Sequence, residues 1–311
     1  MIPGLWVEIE SMGINCPILD QFDDDCFFMR HGKRVIDHGR YQLDFRNEKV
    51  RKFATGIIDR IYNEYGVRYI KNDYNIEAGQ GTECYSDSYG DGLLGHGRAY
   101  LAWIEEMLDK YPDLIIEGCA SGAMRADYAT LSKYSIYSVT DCTDYKKMSR
   151  IARACATGFL PEQAAIWTYP KACDDDTATA FNMVNAMLTR IHLSGEIANI
   201  SNSQFELIKE GVACYKEIRK NIKDFVAFYP EGVGSYDKDW LCVGYSGNGN
   251  TYLGVWRLEP KEDEHFFPFK TDKKSASVIY PSKNDVACEL FENGIKVKLP
   301  KQNSAVIIKL N

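Results

Sequence analysis

Gly66-Val67-Arg68-Tyr69-Ile70-Lys71-Asn72-Asp73-Tyr74-Asn75 reads as a helix stop, a strand and a polar strand end in one short stretch. Upstream of it, Val50, Phe53, Ile57 and Ile61 recur at three- and four-residue spacing, which predicts a helix with one buried stripe. Gly66 then offers the left-handed backbone that ends helices. Val67 to Lys71 has strand length and composition, and Lys71 and Asp73 share one face because strand side chains alternate.

Working outward, the same alternation repeats. Strand-like runs are Leu5–Ile9, Leu114–Glu117, Ser135–Val139, Gln163–Trp167 and, more faintly, Ile197–Ile200. Helical patterns lie between them at Ala99–Lys110, Tyr145–Thr157, Thr177–Leu193 and Ser203–Ile222. Strand, helix, strand, helix predicts a parallel sheet in an α/β domain. From Asp224 onward, short runs such as Trp240–Tyr245, Thr251–Trp256, Ala276–Tyr280, Gly294–Leu299 and Ser304–Leu310 are separated by Asn, Gly, Pro and Lys clusters. That texture predicts an antiparallel β-sandwich, giving an α/β domain over residues 1–223 and a sandwich over 224–311. The Gly-, Ser- and Asp-rich segment Ile76–Gly97 reads as one long loop, of the kind that usually carries function.

Composition narrows the chemistry. With 311 residues, 45% hydrophobic and 26% charged, the chain builds real cores and is not disordered. A net charge of −7 without a Lys/Arg cluster argues against a nucleic-acid partner. Apolar runs are far shorter than a membrane span needs, so no membrane association is expected. The ten cysteines contain no C-x-x-C pair and the five histidines no zinc spacing, so a reduced chain without metal or cofactor is expected. No secretory signal follows Met1, which reads as a cytoplasmic location.

Polar residues cluster where the strands end: Glu8 and Glu10, Lys71 and Asp73, Glu117 and Cys119, Asp141 and Asp144, then Trp167 and Tyr169. In a parallel barrel these ends open onto one face, where catalytic groups gather. Paired carboxylates beside aromatics suit glycoside hydrolysis, in which one attacks the anomeric carbon and the other protonates the departing oxygen. The bland readings are a solvated loop for each acid, a helix N-cap for Asp144, an ordinary buried thiol for Cys119 and core aromatics for Trp6 and Trp167. His31, His38 and His96 read as loop residues and His192 as a helix-face residue.

Tyr69–Asn75 resembles the Y-I-K-x-D-x-N stretch of glycoside hydrolase family 36, the α-galactosidases and their relatives. Gly4–Glu10, Gly39–Asp44, Glu117–Asp127 and Thr140–Asp144 are similar to further family stretches in order and spacing, covering roughly residues 4 to 170. The resemblance implies a retaining exo-α-glycosidase with Asp73 as nucleophile, Asp141 as acid/base, and Trp6, Arg40, Lys71, Cys119, Gly122 and Trp167 at the substrate. It implies that Lys71 helps keep Asp73 ionised, that the partner is an α-galactoside or related oligosaccharide, that no cofactor takes part, and that the protein forms homo-oligomers. Where the family often has Trp and a glycine run, this chain has Asn72, Ala123 and Met124. That change at the sugar pocket makes α-N-acetylgalactosaminide the alternative substrate. The family's N-terminal β-sandwich and first two barrel strands precede the stretch with which this chain opens, so the resemblance implies that residues 1–223 form an incomplete (β/α)8 TIM-type barrel of six strands, truncated at its N-terminus; a silent carbohydrate-binding remnant is the rival from another class.

Overall fold

The structure, a computed structural model, describes residues 1–234 and 236–311. The chain divides into two compact units, Met1–Ser138 and Val139–Asn311. Among the described residues are six strands of an incomplete (β/α) barrel, four in the first unit and two in the second, followed by C-terminal antiparallel sheets.

In the first unit, parallel strands Gly4–Val7, Tyr69–Asn72, Ile115–Gly118 and Ile136–Ser138 pair in that order. Helix α1, Glu48–Asn63, is capped by the Asn47 side chain and buries Val50, Ala54, Ile58 and Ile61. Its apolar stripe is thus centred beside the expected one, with Phe53 and Ile57 on its half-buried flanks. Gly66 is left-handed, with φ of 67°, and turns the chain into the second strand. Between the first strand and α1 the sequence pattern revealed no element. There the chain forms a small antiparallel sheet of Ser11–Gly13, Arg40–Gln42 and Ile36–Asp37, and a hairpin of Met29–Arg30 with Lys33–Arg34. Phe27, Phe28, Leu43 and Phe45, all fully buried, anchor this insertion.

The expected loop Ile76–Gly97 is shorter, because helix α2 runs over Tyr89–Lys110. Ser88 caps it by accepting from the Asp91 N–H. Four glycines hid this helix from a propensity reading. Gly92 has a packing reason to be there, since a Cβ would sit 2.4 Å from the Thr82 carbonyl oxygen.

A short helix, α3 (Tyr128–Leu131), completes the helices of the first unit. In the second unit, helix α4 (Tyr145–Ala154) precedes strand Ala164–Thr168, which pairs in parallel with Arg190–Leu193, not with Ile197–Ile200. Helix α5, Asp176–Ala186, stops well before Leu193; the Thr189 hydroxyl donates to the freed Ala186 carbonyl, and Arg190 then bonds Glu162. His192 lies on that last strand rather than on a helix face. A five-stranded antiparallel sheet follows, ordered Val226–Phe228, Trp240–Gly247, Asn250–Arg257, Ser304–Leu310, Ala276–Tyr280. A three-stranded sheet of Glu264–Pro268, Gly294–Lys298 and Ala287–Phe291 faces it across a core of Leu253, Val255, Phe267, Ile295, Val297 and Ile308. The other face of the larger sheet packs on α5 and on α6, Asn202–Ile218, through Phe181, Val184, Met187, Leu241, Val243 and Trp256. Compactness therefore divides the chain earlier than the change of texture near residue 226 does. No helix among the described residues is long and apolar enough to cross a membrane.

Candidate active site

Asp73 stands one residue beyond the second strand, where its own N–H donates to the Val7 carbonyl at 2.8 Å and so ties it to the first strand. Its Oδ1 accepts from the Tyr74 N–H at 2.8 Å and the Ser121 N–H at 3.4 Å; its Oδ2 accepts from the Trp6 indole Nε1 at 3.1 Å. Burial pushes this carboxyl up, but hydrogen bonds from Asn75, Cys119, Trp6 and the Tyr74 backbone outweigh burial and hold it below the usual carboxylate range. Asp73 is therefore ionised at neutral pH.

Cys119 begins the loop after the third strand. Its thiol is buried and hydrogen-bonded to Asp73; burial is the main reason it is pushed up to about 12, so it stays a protonated donor. Ser121 and Gly122 are both left-handed, with φ of 46° and 85°. Two successive left-handed residues form a concave turn whose N–H groups point inward, and here they reach Asp73 from Ser121 and the Cys119 sulfur from Gly122.

Lys71 pairs through Nζ with Glu117 at 3.7 Å, and Glu117, almost wholly buried, also accepts from the Tyr69 hydroxyl. The hydrogen bonds just described are the main causes that lower the Asp73 carboxyl. Arg40 donates through Nε to Glu8 at 2.9 Å, and the other Glu8 oxygen accepts from the Asn75 amide at 2.8 Å. Asn75 in turn takes the Ser121 hydroxyl at 2.7 Å. Trp6, Arg40, Lys71, Asp73, Cys119 and Gly122 thus belong to one connected cluster in the first unit.

Asn72 meets that cluster through its backbone, its carbonyl accepting from the Cys119 N–H at 3.0 Å. Alternation turns its side chain to the opposite face, where it is buried, donates to the Tyr100 hydroxyl at 2.6 Å and accepts from the Ile9 N–H. Met124, in contrast, is 60% exposed in the loop after Gly122.

Asp141 and Trp167 belong to the second unit. Asp141 is exposed just ahead of helix α4, Tyr145–Ala154, which Asp144 caps by accepting from the N–H groups of Lys146 and Lys147, the role expected of it. Trp167 is half-buried, with its ring stacked on Tyr169 at 6.2 Å.

Glu8 and Glu10 were legible as strand-end polar residues and Asn75 and Ser121 only as members of motif stretches, while the parts played by Arg125 and His96 escaped sequence reasoning. Glu10 and His96, both buried, form a polar group with the part-exposed Arg125 behind the cluster. His96 lies on α2, not in a loop; its Nδ1 accepts from the Phe45 N–H at 3.1 Å, which leaves the ring proton on Nε2 toward Glu10.

The melibiase family model matches residues 1–224. The chain belongs to the melibiase family, the α-galactosidase family of glycoside hydrolase family 36. Among curated relatives, this chain is 24% identical over 240 residues to α-galactosidase AgaA of Geobacillus stearothermophilus, covering 73% of this chain and 32% of AgaA. It is 20% identical to α-galactosidase Mel36A of Lactobacillus acidophilus, covering 79% of this chain and 34% of Mel36A. The crystal structure of AgaA superposes with a TM-score of 0.80 at 16% identity, covering all of this chain and 45% of AgaA. The galactosidase domain of AgaSK does so at 0.81, with 18% identity and 44% of that chain covered. The chain spans about a third of the length of these curated relatives.

Proposed function

We propose that the chain carries the catalytic groups of a retaining exo-α-galactosidase. Asp73 attacks the anomeric carbon of a terminal α-galactoside and forms a covalent glycosyl-enzyme, while Asp141 protonates the departing glycosidic oxygen. Asp141 then takes a proton from water, which displaces Asp73 and restores the starting state. One observation carries this reading: a carboxylate held ionised by donors on three strand ends, the Trp6 indole, the Tyr74 N–H and the Ser121 N–H, with the Asn75 and Cys119 side chains beside them. Donors from several directions fix the carboxylate plane. Trp6, half-exposed beside it, supplies a face for a sugar ring. Arg40 and Lys71, each oriented by a carboxylate, are donors for sugar hydroxyls, and Cys119, Gly122 and Trp167 complete the proposed substrate set. The AgaA structures in complex with raffinose and stachyose suggest the substrates to try.

The test is hydrolysis of an aryl α-galactoside and of raffinose by the purified chain. Asp73→Asn should lower turnover roughly 10⁴-fold or more; activity surviving in that variant removes Asp73 from the mechanism. Asp141→Asn should slow raffinose more than the activated aryl glycoside, because only the poor leaving group needs a proton. A folded chain with no turnover on either substrate would favour a carbohydrate-binding remnant. The aryl α-N-acetylgalactosaminide belongs in the same assay, on account of the changed residues Asn72, Ala123 and Met124, of which Met124 is exposed.

A further inference from the structure

Glu10 lies two residues past Glu8, is 1% exposed, and accepts both terminal nitrogens of Arg125: Nη1 to Oε2 at 3.0 Å and Nη2 to Oε1 at 2.7 Å. His96 faces the same carboxylate at 3.3 Å. Arg125 comes from the loop after the third strand, the loop that brings Cys119 and Ser121 to Asp73. Its guanidinium also lies over the Tyr74 ring, 3.7 Å from the centroid, and Tyr74 is the residue whose N–H holds Asp73 Oδ1. One ion pair thereby joins the ends of the first, second and third strands.

We propose that Glu10 and Arg125 are positioning residues for Asp73, fastening the Cys119–Ser121 turn and Tyr74 where their donors reach the carboxylate. Neither residue touches Asp73 in any hydrogen bond described above. A two-pronged guanidinium–carboxylate pair fixes direction as well as distance, which a lysine in place of Arg125 does not. Asp73 itself is faced by the Cys119 thiol, which feels the charge of Lys71, paired with Glu117, and through Asn75 by the Glu8–Arg40 pair. Glu10 is faced by Arg125, His96, Tyr74, Tyr100 and Tyr134, with Asp44 behind His96. Only Arg125 spans the two groups through the loop that feeds Asp73.

The kinetic consequence rests on Asp73 being the nucleophile; the geometric one does not. Carboxyl-¹³C aspartate labelling of the whole chain reports Asp73 as the signal missing in Asp73→Asn. In Arg125→Lys and Glu10→Gln that signal should titrate about one pH unit higher, because its donors are displaced. With the aryl α-galactoside, kcat should fall roughly 10- to 100-fold while KM changes less than about threefold, and the acid limb of the profile should move up with the titration. An unmoved midpoint in both folded variants overturns the proposal. If neither variant folds, Tyr74→Leu decides, since it removes only the ring under Arg125: a smaller upward shift supports the clamp and an unmoved midpoint overturns it. An inactive chain would defeat the functional reading and leave the titration to judge the clamp.

Discussion

Behind Asp73 the buried side chains are Glu10, Asp44, Asn72, His96 and Glu117, whereas between the two antiparallel sheets they are Leu253, Val255, Phe267, Ile295, Val297 and Ile308. The first set is held by directed bonds, each with a partner at a fixed angle; the second is held by contact area, which has no direction. Buried ion pairs add little net stability compared with apolar packing, so a region built from them is specified rather than strengthened. The ionic group stands where donors must converge on one carboxylate. The apolar core stands where two sheets have only to stay together. Even the exception in the sheets fits, because the buried Arg257 is spent on the carbonyls of Leu299, Pro300 and Pro260 at a strand end.

The contrast can be broken most forcefully at its two centres. Arg125→Ala leaves the Glu10 carboxylate buried without its counter-charge and should cost about 3 to 5 kcal/mol, read from urea unfolding; a loss under about 1 kcal/mol would mean that the pair holds nothing. Phe267→Ala should cost a similar ~3 to 5 kcal/mol through the cavity it opens. The two should differ in reach: Arg125→Ala shifts the Asp73 titration and Phe267→Ala leaves it in place, and a shift from Phe267→Ala would erase the distinction.

Acid should sharpen the same contrast. Burial pushes Glu10 up, but the charge of Arg125 and the bonds from His96 and Arg125 more than offset it, bringing Glu10 from 4.5 down to about 2. A lowered folded value means stability that is complete above the unfolded value and is lost as pH falls, here between about 4.5 and 2, amounting to about 3 kcal/mol. Glu10→Gln should flatten that part of the stability profile, while a sandwich variant such as Ile295→Val should only lower it by about 1 kcal/mol at every pH. The smallest effect is expected at Asp144→Ala, about 1 kcal/mol of lost capping on α4 by thermal unfolding. A larger loss of turnover than of stability there would move Asp144 from the cap into the chemistry.

Periodicity made the parallel strands and most helices legible because each had one buried face, as in α1 and in Tyr69–Asn72. It failed where burial was two-sided or one-sided in the wrong period. Helix α5 is buried nearly all round from Ala178 to Ala186, so its pattern ran on into the strand Arg190–Leu193 without a break. Strands Glu264–Pro268 and Ala287–Phe291 carry apolar residues on both faces, with Phe266 and Phe291 among those exposed, so no alternating pattern marked them. The insertion between the first strand and α1 uses two- and three-residue strands, too short to show any period. In the candidate site, Asp73, Cys119 and Gly122 were legible through motif resemblance. Arg125 was not, because its significance lies in meeting Glu10 across a sequence separation of 115 residues, which only the fold brings about.

Trp6 gives this arrangement an optical consequence. Of the indoles, Trp103, Trp240 and Trp256 are buried and Trp167 is half-buried, while Trp6 is 53% exposed with its N–H on the Asp73 carboxylate. An excited indole responds to a charge at its nitrogen, so the emission of Trp6 records whether that carboxylate is charged, protonated or esterified. Stopped-flow fluorescence on the unlabelled chain, with Trp6→Phe as the dark reference, would follow the ionisation and occupancy of Asp73 in real time without a chromogenic sugar.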